Sequence, residues 1–336
     1  MNKIYKFLAY ISPFFIIKNL INSKIIFPFY HIVSDTDVLH IKYLYRVKNV
    51  DEFINDLNFL LKHYIPISIN DLYENIYNDK AIPSNAFLLT FDDGFREIYN
   101  IVAPILKNKG IPATFFLSTD FIDNKSLFYR CKINLILDRI KNSRYLTSTS
   151  EDKIKNVLIE NNAFNENIIK SIRRIGYHNK ELLGEVSKIL NYNFISYLNK
   201  YQPYLTSKQI KKLLDDGFSI GAHSCDHPPY HLLSLSEQIK QTRESINVLR
   251  NKFGITHNFF AFPFNDNGVS NKFFSKVKGL VDISFGTGGF RGETKYNHFQ
   301  RIPMEIQKLN AKTIIKMFIL EKKLKTSIKK TYKRMY

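Results

Sequence analysis

Two short motifs, far apart in the chain, supply the residue types of a catalytic metal site. The segment 90–94 has the sequence TFDDG and contains two adjacent carboxylates, and the segment 223–227 has the sequence HSCDH and contains two imidazoles four residues apart. Adjacent residues at a strand end point in different directions, so one carboxylate could bind a metal ion while the other accepts a proton. Imidazoles at this spacing reach one side of a helix or of a one-turn loop, and imidazole suits divalent transition metals. Together the motifs indicate metal-assisted hydrolysis.

Buried strands must position these side chains. The continuous apolar run 86–91 is closed by Asp-Asp-Gly, which is typical of a buried parallel strand with polar residues at its carboxyl end. A helix is predicted over 97–109 and a further strand over 113–118, and the strand pattern of 218–222 leads directly into His223. The alternation of strands and helices predicts an α/β fold with right-handed crossovers.

The sequence around both motifs resembles that of a known family. TFDDG and HSxxH match the family's first and second motifs, and LTFDDGF at 89–95, GIPATFF at 110–116 and YH at 30–31 match its usual flanking sequences. The chain thus resembles a polysaccharide deacetylase with a NodB-homology domain, of carbohydrate esterase family 4, from about residue 30 to residue 303. The resemblance implies a distorted (β/α)7-type barrel of parallel strands, interrupted by a helical insertion, with the active site at the carboxyl ends of the strands.

The resemblance also assigns roles to the motif residues. It implies that Asp92 is the general base and that Asp93, His223 and His227 bind a divalent metal ion, for which zinc is the expected identity. It implies the removal of an N- or O-acetyl group from a sugar, and we expect an N-acetylated sugar as the substrate. We expect this carbohydrate substrate to belong to a surface glycan of the cell envelope or to its lipid-linked precursor.

The third motif departs from the family pattern. In the family it reads Arg-x-Pro-aromatic-Gly, and its arginine restrains the base. This chain has Ala261 at the position of the arginine and Asn265 at the position of the glycine. We hypothesise that Arg301 replaces the missing cation next to Asp92.

The general acid is the second open point. The family's fifth motif ends in a histidine that protonates the leaving group. Two histidines of this chain are candidates for that role: His298, which lies near the expected position, and His31, which lies at the end of the first strand. The sequence does not decide between them.

The chain is predicted to contain a catalytic domain with additions at both ends. Residues 1–24 form an apolar, amphipathic segment that either packs on the domain or lies in a membrane interface. Residues 25–305 form the deacetylase-like domain, with the helical insertion at about 121–215. Residues 306–336 form a basic helix and tail, which could contact an anionic membrane.

The composition narrows the expected partners and location. The formal net charge of +19 favours acidic partners, but the lysines are scattered and no nucleic-acid-binding motif is present, so no nucleic-acid partner is expected. The two cysteines cannot form a disulfide framework. The N-terminal segment has neither a signal cleavage site nor the length of a spanning helix, and we therefore expect a cytoplasmic protein, peripheral at the inner face of the cell membrane.

Two further functions remain open at this point. The insertion could close the groove and favour a small substrate, which would make the chain a C–N hydrolase of the same fold acting on a small amide. The altered third motif could instead indicate a catalytically silent, glycan-binding relative. Metal content combined with an acetate assay distinguishes these alternatives.

Overall fold

Short parallel strands follow the apolar runs of the sequence. The structure, a computed structural model, describes residues 3–20, 24–141, 146–290, 295–306 and 308–327. The five residues of the strand after Gly110 are all buried, as expected for a parallel strand that is covered on both faces. The strands are β1 (Ile25–Ile26), β2 (Pro28–Tyr30), β3 (Ile65–Pro66), β4 (Ala86–Phe87), β5 (Leu89–Phe91), β6 (Ala113–Leu117), β7 (Ser219–Ala222), β8 (Phe259–Ala261), β9 (Ile283–Gly286), β10 (His298–Gln300) and β11 (Ile302–Pro303).

Eight of the strands in the described part of the chain form one parallel sheet, in the order β10-β9-β8-β7-β6-β5-β2-β11. The two edge strands are consecutive in the chain, and only Arg301 separates them. Because successive Cα atoms are about 3.8 Å apart, the two edges of the sheet lie next to each other. The sheet is thus a nearly closed barrel, and the predicted barrel of parallel strands is confirmed. A smaller parallel sheet has the order β1-β4-β3.

Helices surround the sheet, and their ends follow local capping rules. Asn49 caps the third helix by accepting a hydrogen bond from the Glu52 backbone N–H, which completes a capping box. The predicted helix over 97–109 begins as a π-helical turn at Ile98–Val102, next to Pro104, which cannot donate a backbone hydrogen bond. The α-helices are α1 (Lys3–Ile11), α2 (Phe14–Lys18), α3 (Val50–His63), α4 (Ile69–Asn78), α5 (Ala103–Asn108), α6 (Tyr129–Lys141), α7 (Ser148–Glu160), α8 (Ile168–Arg174), α9 (Leu182–Ile189), α10 (Phe194–Tyr201), α11 (Ser207–Asp215), α12 (Leu235–Phe253), α13 (Asn271–Lys276) and α14 (Ala311–Ser327).

The chain divides into two compact units. The larger unit contains residues 1–35, 47–122 and 205–336, and the smaller unit contains residues 36–46 and 123–204. Helices α6 to α10 form the smaller unit, where α9 packs against both α6 and α7. The predicted insertion, 121–215, extends beyond the smaller unit at its C-terminal end, because α11 packs against β7 in the larger unit.

The N-terminal segment packs on the larger unit through α1 and α2. Ala9, Phe14 and Ile17 are buried in the main core, and the Lys316 ammonium group on α14 donates a hydrogen bond of 2.7 Å to the carbonyl oxygen of Ser12. Within the described ranges, no helix is long and apolar enough to cross a membrane. Much of the predicted basic tail, at 328–336, lies outside the described residues.

Aromatic side chains fill the barrel. The Phe27 ring centroid lies 5.6 Å from that of Phe285, which lies 5.6 Å from that of Phe116. All three rings are buried. Since every strand of the main sheet runs in the same direction, the residues that follow the strands meet at one end of the barrel, above this apolar interior.

Candidate active site

The two motif aspartates lie directly after β5. The sheet pairing continues for one residue, because the Asp92 N–H donates to the Tyr30 carbonyl at 2.9 Å. The chain then turns sharply: Asp93 and Gly94 have φ angles of 71° and 73°. A Cβ atom on Gly94 would lie 2.9 Å from the Leu117 side chain, so glycine fits both the angle and the close approach. The turn leaves the two adjacent carboxylates buried at the strand end.

The two motif histidines lie on a one-turn loop after β7. The His223 N–H donates to the Leu117 carbonyl at 2.9 Å, which fixes the start of the loop. Ser224 and His227 have φ angles of 66° and 62°, and the Ser224 hydroxyl accepts a hydrogen bond from the His227 N–H at 3.1 Å. A left-handed conformation costs a non-glycine residue about 1–2 kcal/mol. The loop therefore holds His227 in a conformation that local preference alone would not select.

Asp93, His223 and His227 converge in a group that fits a metal ion. One ligand atom from each residue lies within 4.8 Å of the others, and all three residues are buried. The Asp93 Oδ1 atom is 3.1 Å from His227 Nε2 and 3.6 Å from His223 Nε2. That oxygen is buried and accepts no hydrogen bond from the described residues. One carboxylate oxygen and two imidazole nitrogens in such an arrangement are a donor set for zinc or a similar divalent ion.

The tautomer of His223 suits this role. Its Nδ1 atom lies 2.8 Å from the Ala261 carbonyl oxygen, which can only accept a hydrogen bond. The proton of the neutral ring is therefore on Nδ1, and the lone pair of Nε2 is free to bind a metal ion held with Asp93 and His227. Burial lowers the pKa of His223 to about 4, so the ring is neutral at physiological pH.

Asp92 forms a buried, two-point ion pair with Arg301. The guanidinium NH1 lies 2.6 Å from Oδ1 and NH2 lies 2.7 Å from Oδ2. NH1 also donates to the Thr90 hydroxyl at 3.1 Å, and the guanidinium carbon lies 4.5 Å from the centroid of the Phe29 ring. Arg301 has no exposed surface. The structure thus places Arg301 next to Asp92, as we hypothesised, while its catalytic role stays a prediction.

Electrostatics keep both aspartates ionised. Burial alone would raise the pKa of Asp92, but the positive charge of Arg301 outweighs this effect and holds the pKa below its ordinary value. For Asp93, the His227 ring has the corresponding effect and lowers the pKa well below the usual range. The site therefore presents two carboxylates at neutral pH.

His31 lies at the same end of the barrel and is paired with Glu305. Its Nδ1 atom is 2.5 Å from Glu305 Oε2, and the backbone N–H groups of His31 and Ile32 donate to Glu305 Oε1. Burial lowers the pKa of His31, but the charges of Glu305, Asp93 and Asp92 outweigh this effect and raise it to about 9. The His31 ring is thus an imidazolium at neutral pH, within electrostatic reach of the two motif aspartates.

His298 lies in a separate polar cluster. Its Nε2 atom is 2.9 Å from Asp266 Oδ2 and its Nδ1 atom is 2.8 Å from the Ser284 hydroxyl. The residue is 0% exposed, and its ring contacts those of Phe262 and Phe274. Both ring nitrogens already have partners, and His298 is not part of the group that could hold a metal. Of the two acid candidates, the structure brings only His31 near the aspartates.

Two features of the site were not predicted from the sequence. Glu305, the partner of His31, lies beyond the motifs, and the sequence signal for it would have been a single acidic residue two positions after the last strand. Phe264, in the altered third motif, has a φ angle of 58°, and its ring centroid lies 4.7 Å from that of His227. Ala261, at the position of the family's arginine, contributes its carbonyl oxygen to His223. The altered motif therefore still supports the histidine loop.

Solved structures show the same fold. The deacetylase PplD of Streptococcus pyogenes, solved in complex with acetate, superposes with a TM-score of 0.56 and 16% identity, covering 89% of this chain and 99% of that chain. IcaB from Ammonifex degensii gives a TM-score of 0.55 and 13% identity, covering 88% and 97%. A de-N-acetylase from Aggregatibacter actinomycetemcomitans gives 0.54 and 14%, covering 88% and 99%. At these identities the likeness establishes the fold.

Sequence comparison establishes the family. No curated protein sequence matches the chain. The family model described as polysaccharide deacetylase matches residues 79–275, which include both motifs and more than half of the chain. This chain therefore belongs to the polysaccharide deacetylase family, whose members are hydrolases of N-acetyl amide bonds.

Proposed function

We propose that the protein is a metal-dependent hydrolase that removes the acetyl group from an N-acetylated sugar in a surface glycan or its lipid-linked precursor. One observation carries the proposal: a carboxylate fixed by an arginine, Asp92, lies beside a buried group of one aspartate and two histidines at the strand ends. This arrangement separates a base from a metal-binding set, as metal-assisted hydrolysis requires. Family membership supports the acetylated carbohydrate as the substrate class.

Asp93, His223 and His227 would hold the metal ion, and zinc fits this donor set. A bound divalent ion would supply a positive charge that polarises the acetyl carbonyl and lowers the pKa of water. The protein's own contribution is to keep these ligands buried, to hold His223 in the correct tautomer through the Ala261 carbonyl, and to leave room in a three-residue donor set for substrate.

Asp92 would act as the general base. Its carboxylate stays ionised because Arg301 binds both oxygens, and each oxygen keeps a second lone pair that can accept a proton. Asp92 would take a proton from the attacking water as the new C–O bond to the acetyl carbon forms. Arg301 would fix the orientation of the carboxylate throughout, because a two-point contact allows little rotation.

His31 would act as the general acid. The C–N bond breaks only if the sugar nitrogen is protonated as it leaves, because an amide anion is a poor leaving group. Glu305 fixes Nδ1 of His31 and keeps the ring protonated, so a proton on Nε2 would be passed to the leaving nitrogen. The products are acetate and the free amine of the sugar.

Acetate release from a panel of N-acetylated sugars, nucleotide sugars and lipid-linked glycans tests this function. The metal-reconstituted protein should release acetate from at least one class, and Asp92→Asn should lower kcat by about 100- to 10,000-fold while metal binding persists. Release that is independent of Asp92 or of metal would refute the mechanism. Metal binding without release from any acetylated sugar would instead favour a small-amide hydrolase or a silent, glycan-binding relative. The location at the inner face of the membrane stays a prediction, which cell fractionation would test.

A further inference from the structure

Helices α1 and α2 carry an exposed apolar surface. Five large side chains, on the side of these helices away from the core, are between 49% and 69% exposed: Phe7, Tyr10, Ile11, Phe15 and Ile16. We call these five residues the N-terminal apolar surface. Five large exposed apolar side chains within ten residues of sequence, on two consecutive helices, are the kind of surface that marks an interaction site.

The opposite side of the same helices is firmly packed. Ala9, Phe14 and Ile17 are buried in the main core, and the Phe14 ring lies 4.9 Å from that of Phe59 on α3. The hydrogen bond from Lys316 to Ser12 adds a polar anchor to α14. The fold therefore holds the N-terminal apolar surface outwards, on helices whose other side is already buried.

A groove lined by lysines begins where this surface ends. Its volume is about 630 Å³, and its lining includes Phe15 of the apolar surface together with Lys18, Lys62 and Lys312. Burial and the positive charges of these three lysines lower the pKa of His63, which also lines the groove. The three lysines thus lie close enough together for their charges to lower the pKa of one imidazole, and the groove is positively charged. We call it the lysine groove.

We propose that the N-terminal apolar surface and the lysine groove together bind an anionic lipid bilayer. Apolar and aromatic side chains on an amphipathic helix enter the boundary between lipid headgroups and acyl chains. Lysines beside them attract anionic headgroups, and each contributes about a fivefold increase in binding. An anionic bilayer is complementary to both parts at once, whereas a second copy of this basic chain would bring further positive charge to the lysine groove. The proposal does not depend on the enzymatic activity.

Vesicle co-sedimentation of the full chain tests the proposal. The wild-type protein should bind vesicles made of equal parts of phosphatidylglycerol and phosphatidylcholine, and should bind much more weakly to phosphatidylcholine alone. Phe15→Ser with Ile16→Ser should lower the partition coefficient by about tenfold or more, because two apolar side chains that would enter the bilayer are lost. Lys62→Glu with Lys312→Glu should have an effect of similar size that disappears at high salt.

Matched variants show whether the effect belongs to this surface. Ile195→Ser removes an equally exposed apolar side chain, and Lys153→Glu with Lys272→Glu makes the same charge change elsewhere. These controls should bind like the wild type or, for the charge reversals, only slightly more weakly. Binding that survives both sets of test substitutions would overturn the proposal and assign attachment to another part of the chain. Concentration-dependent dimerisation that Phe15→Ser abolishes, without vesicle binding, would overturn it in favour of self-association.

Discussion

Outside the metal-binding group, the described part of the chain contains two histidine–carboxylate pairs of the same chemical type in different surroundings. In the first, His31 lies 2.5 Å from Glu305 and keeps 24% of its side chain exposed. In the second, His298 lies 2.9 Å from Asp266, is 0% exposed, and has the Ser284 hydroxyl on its other nitrogen. The first pair is accessible to solvent, and the second is enclosed.

His298 lies nearer in sequence to the expected position of the family's acid, yet the structure encloses it, and the reason is geometric. Side chains alternate along a strand, so residues separated by an odd number of positions point to opposite faces of the sheet. Arg301 reaches the interior of the barrel, where it meets Asp92. His298 precedes it by three positions and therefore lies on the other face, with Gln300, whose side-chain amide also donates to Asp266. Closeness to a motif in sequence is thus a weaker guide than the face of the strand.

The largest expected effect separates the two histidines by activity. His31→Ala should lower kcat for acetate release by about 100- to 10,000-fold, because the leaving nitrogen loses its proton donor. His298→Ala should leave the kcat of the folded fraction within about tenfold of the wild type. Steady-state kinetics on folded protein measure both values, and circular dichroism controls for folding. The reverse order of effects would assign the acid role to His298.

Stability should show the opposite order. His298→Ala removes a buried ring and its hydrogen bond to the Asp266 carboxylate, to which Gln300 still donates, and this loss should cost about 3 kcal/mol of the free energy of unfolding. His31→Ala should cost less, because water can reach that site and two backbone N–H groups still bind Glu305. Denaturant unfolding of the two variants gives the comparison. Equal losses of the free energy of unfolding would mean that the difference in solvent exposure does not affect how much each pair stabilises the protein.

Arg301 lies between His298 and Glu305 along the chain, and its variants extend the comparison to the general base. Arg301→Lys keeps the charge but loses the two-point contact with Asp92, and we expect kcat to fall by about tenfold to 100-fold with a smaller loss of stability. Arg301→Ala should lower both kcat and the free energy of unfolding further, because Asp92 is left buried and unpaired. Turnover that is unchanged in Arg301→Ala would show that the base needs no cation. Lys316→Arg is a matched control, because this buried cation donates a hydrogen bond to the Ser12 carbonyl oxygen and is not part of the active site.

The pH dependence of the His31–Glu305 pair gives a further comparison. The pKa of His31 in the folded protein, about 9, is above its ordinary value of 6.5. The pair therefore stabilises the protein fully below pH 6.5, and this contribution is lost as the pH rises through 9. In metal-free protein, the free energy of unfolding of the wild type should exceed that of Glu305→Gln by about 1.5–3 kcal/mol at pH 6 and by much less above pH 9. A difference that does not change with pH would show that the pair is uncharged.

The sequence predicted the parts of the site that are local. Asp92 and Asp93 follow a buried apolar run, and His223 and His227 share one loop, so a few neighbouring residues determine each placement. The α/β fold also followed from apolar runs that alternate with helices, and the barrel followed from the family resemblance. Glu305 could not be predicted, because its contact with His31 depends on the pairing of β11 with β2, at opposite ends of the sequence. Arg301 was predicted only because the family's arginine is replaced by Ala261, and its position depends on the closure of the barrel.

The roles of Asp92 and His31 can be separated most directly by the leaving group. A general acid is needed for a sugar amine but not for 4-nitrophenolate, which leaves without protonation. We predict that His31→Ala loses N-acetyl hydrolysis by at least about 100-fold but retains hydrolysis of 4-nitrophenyl acetate, whereas Asp92→Asn loses both and His298→Ala keeps the wild-type ratio of the two. A selective loss in His298→Ala, with an unchanged ratio in His31→Ala, would contradict the proposed active site.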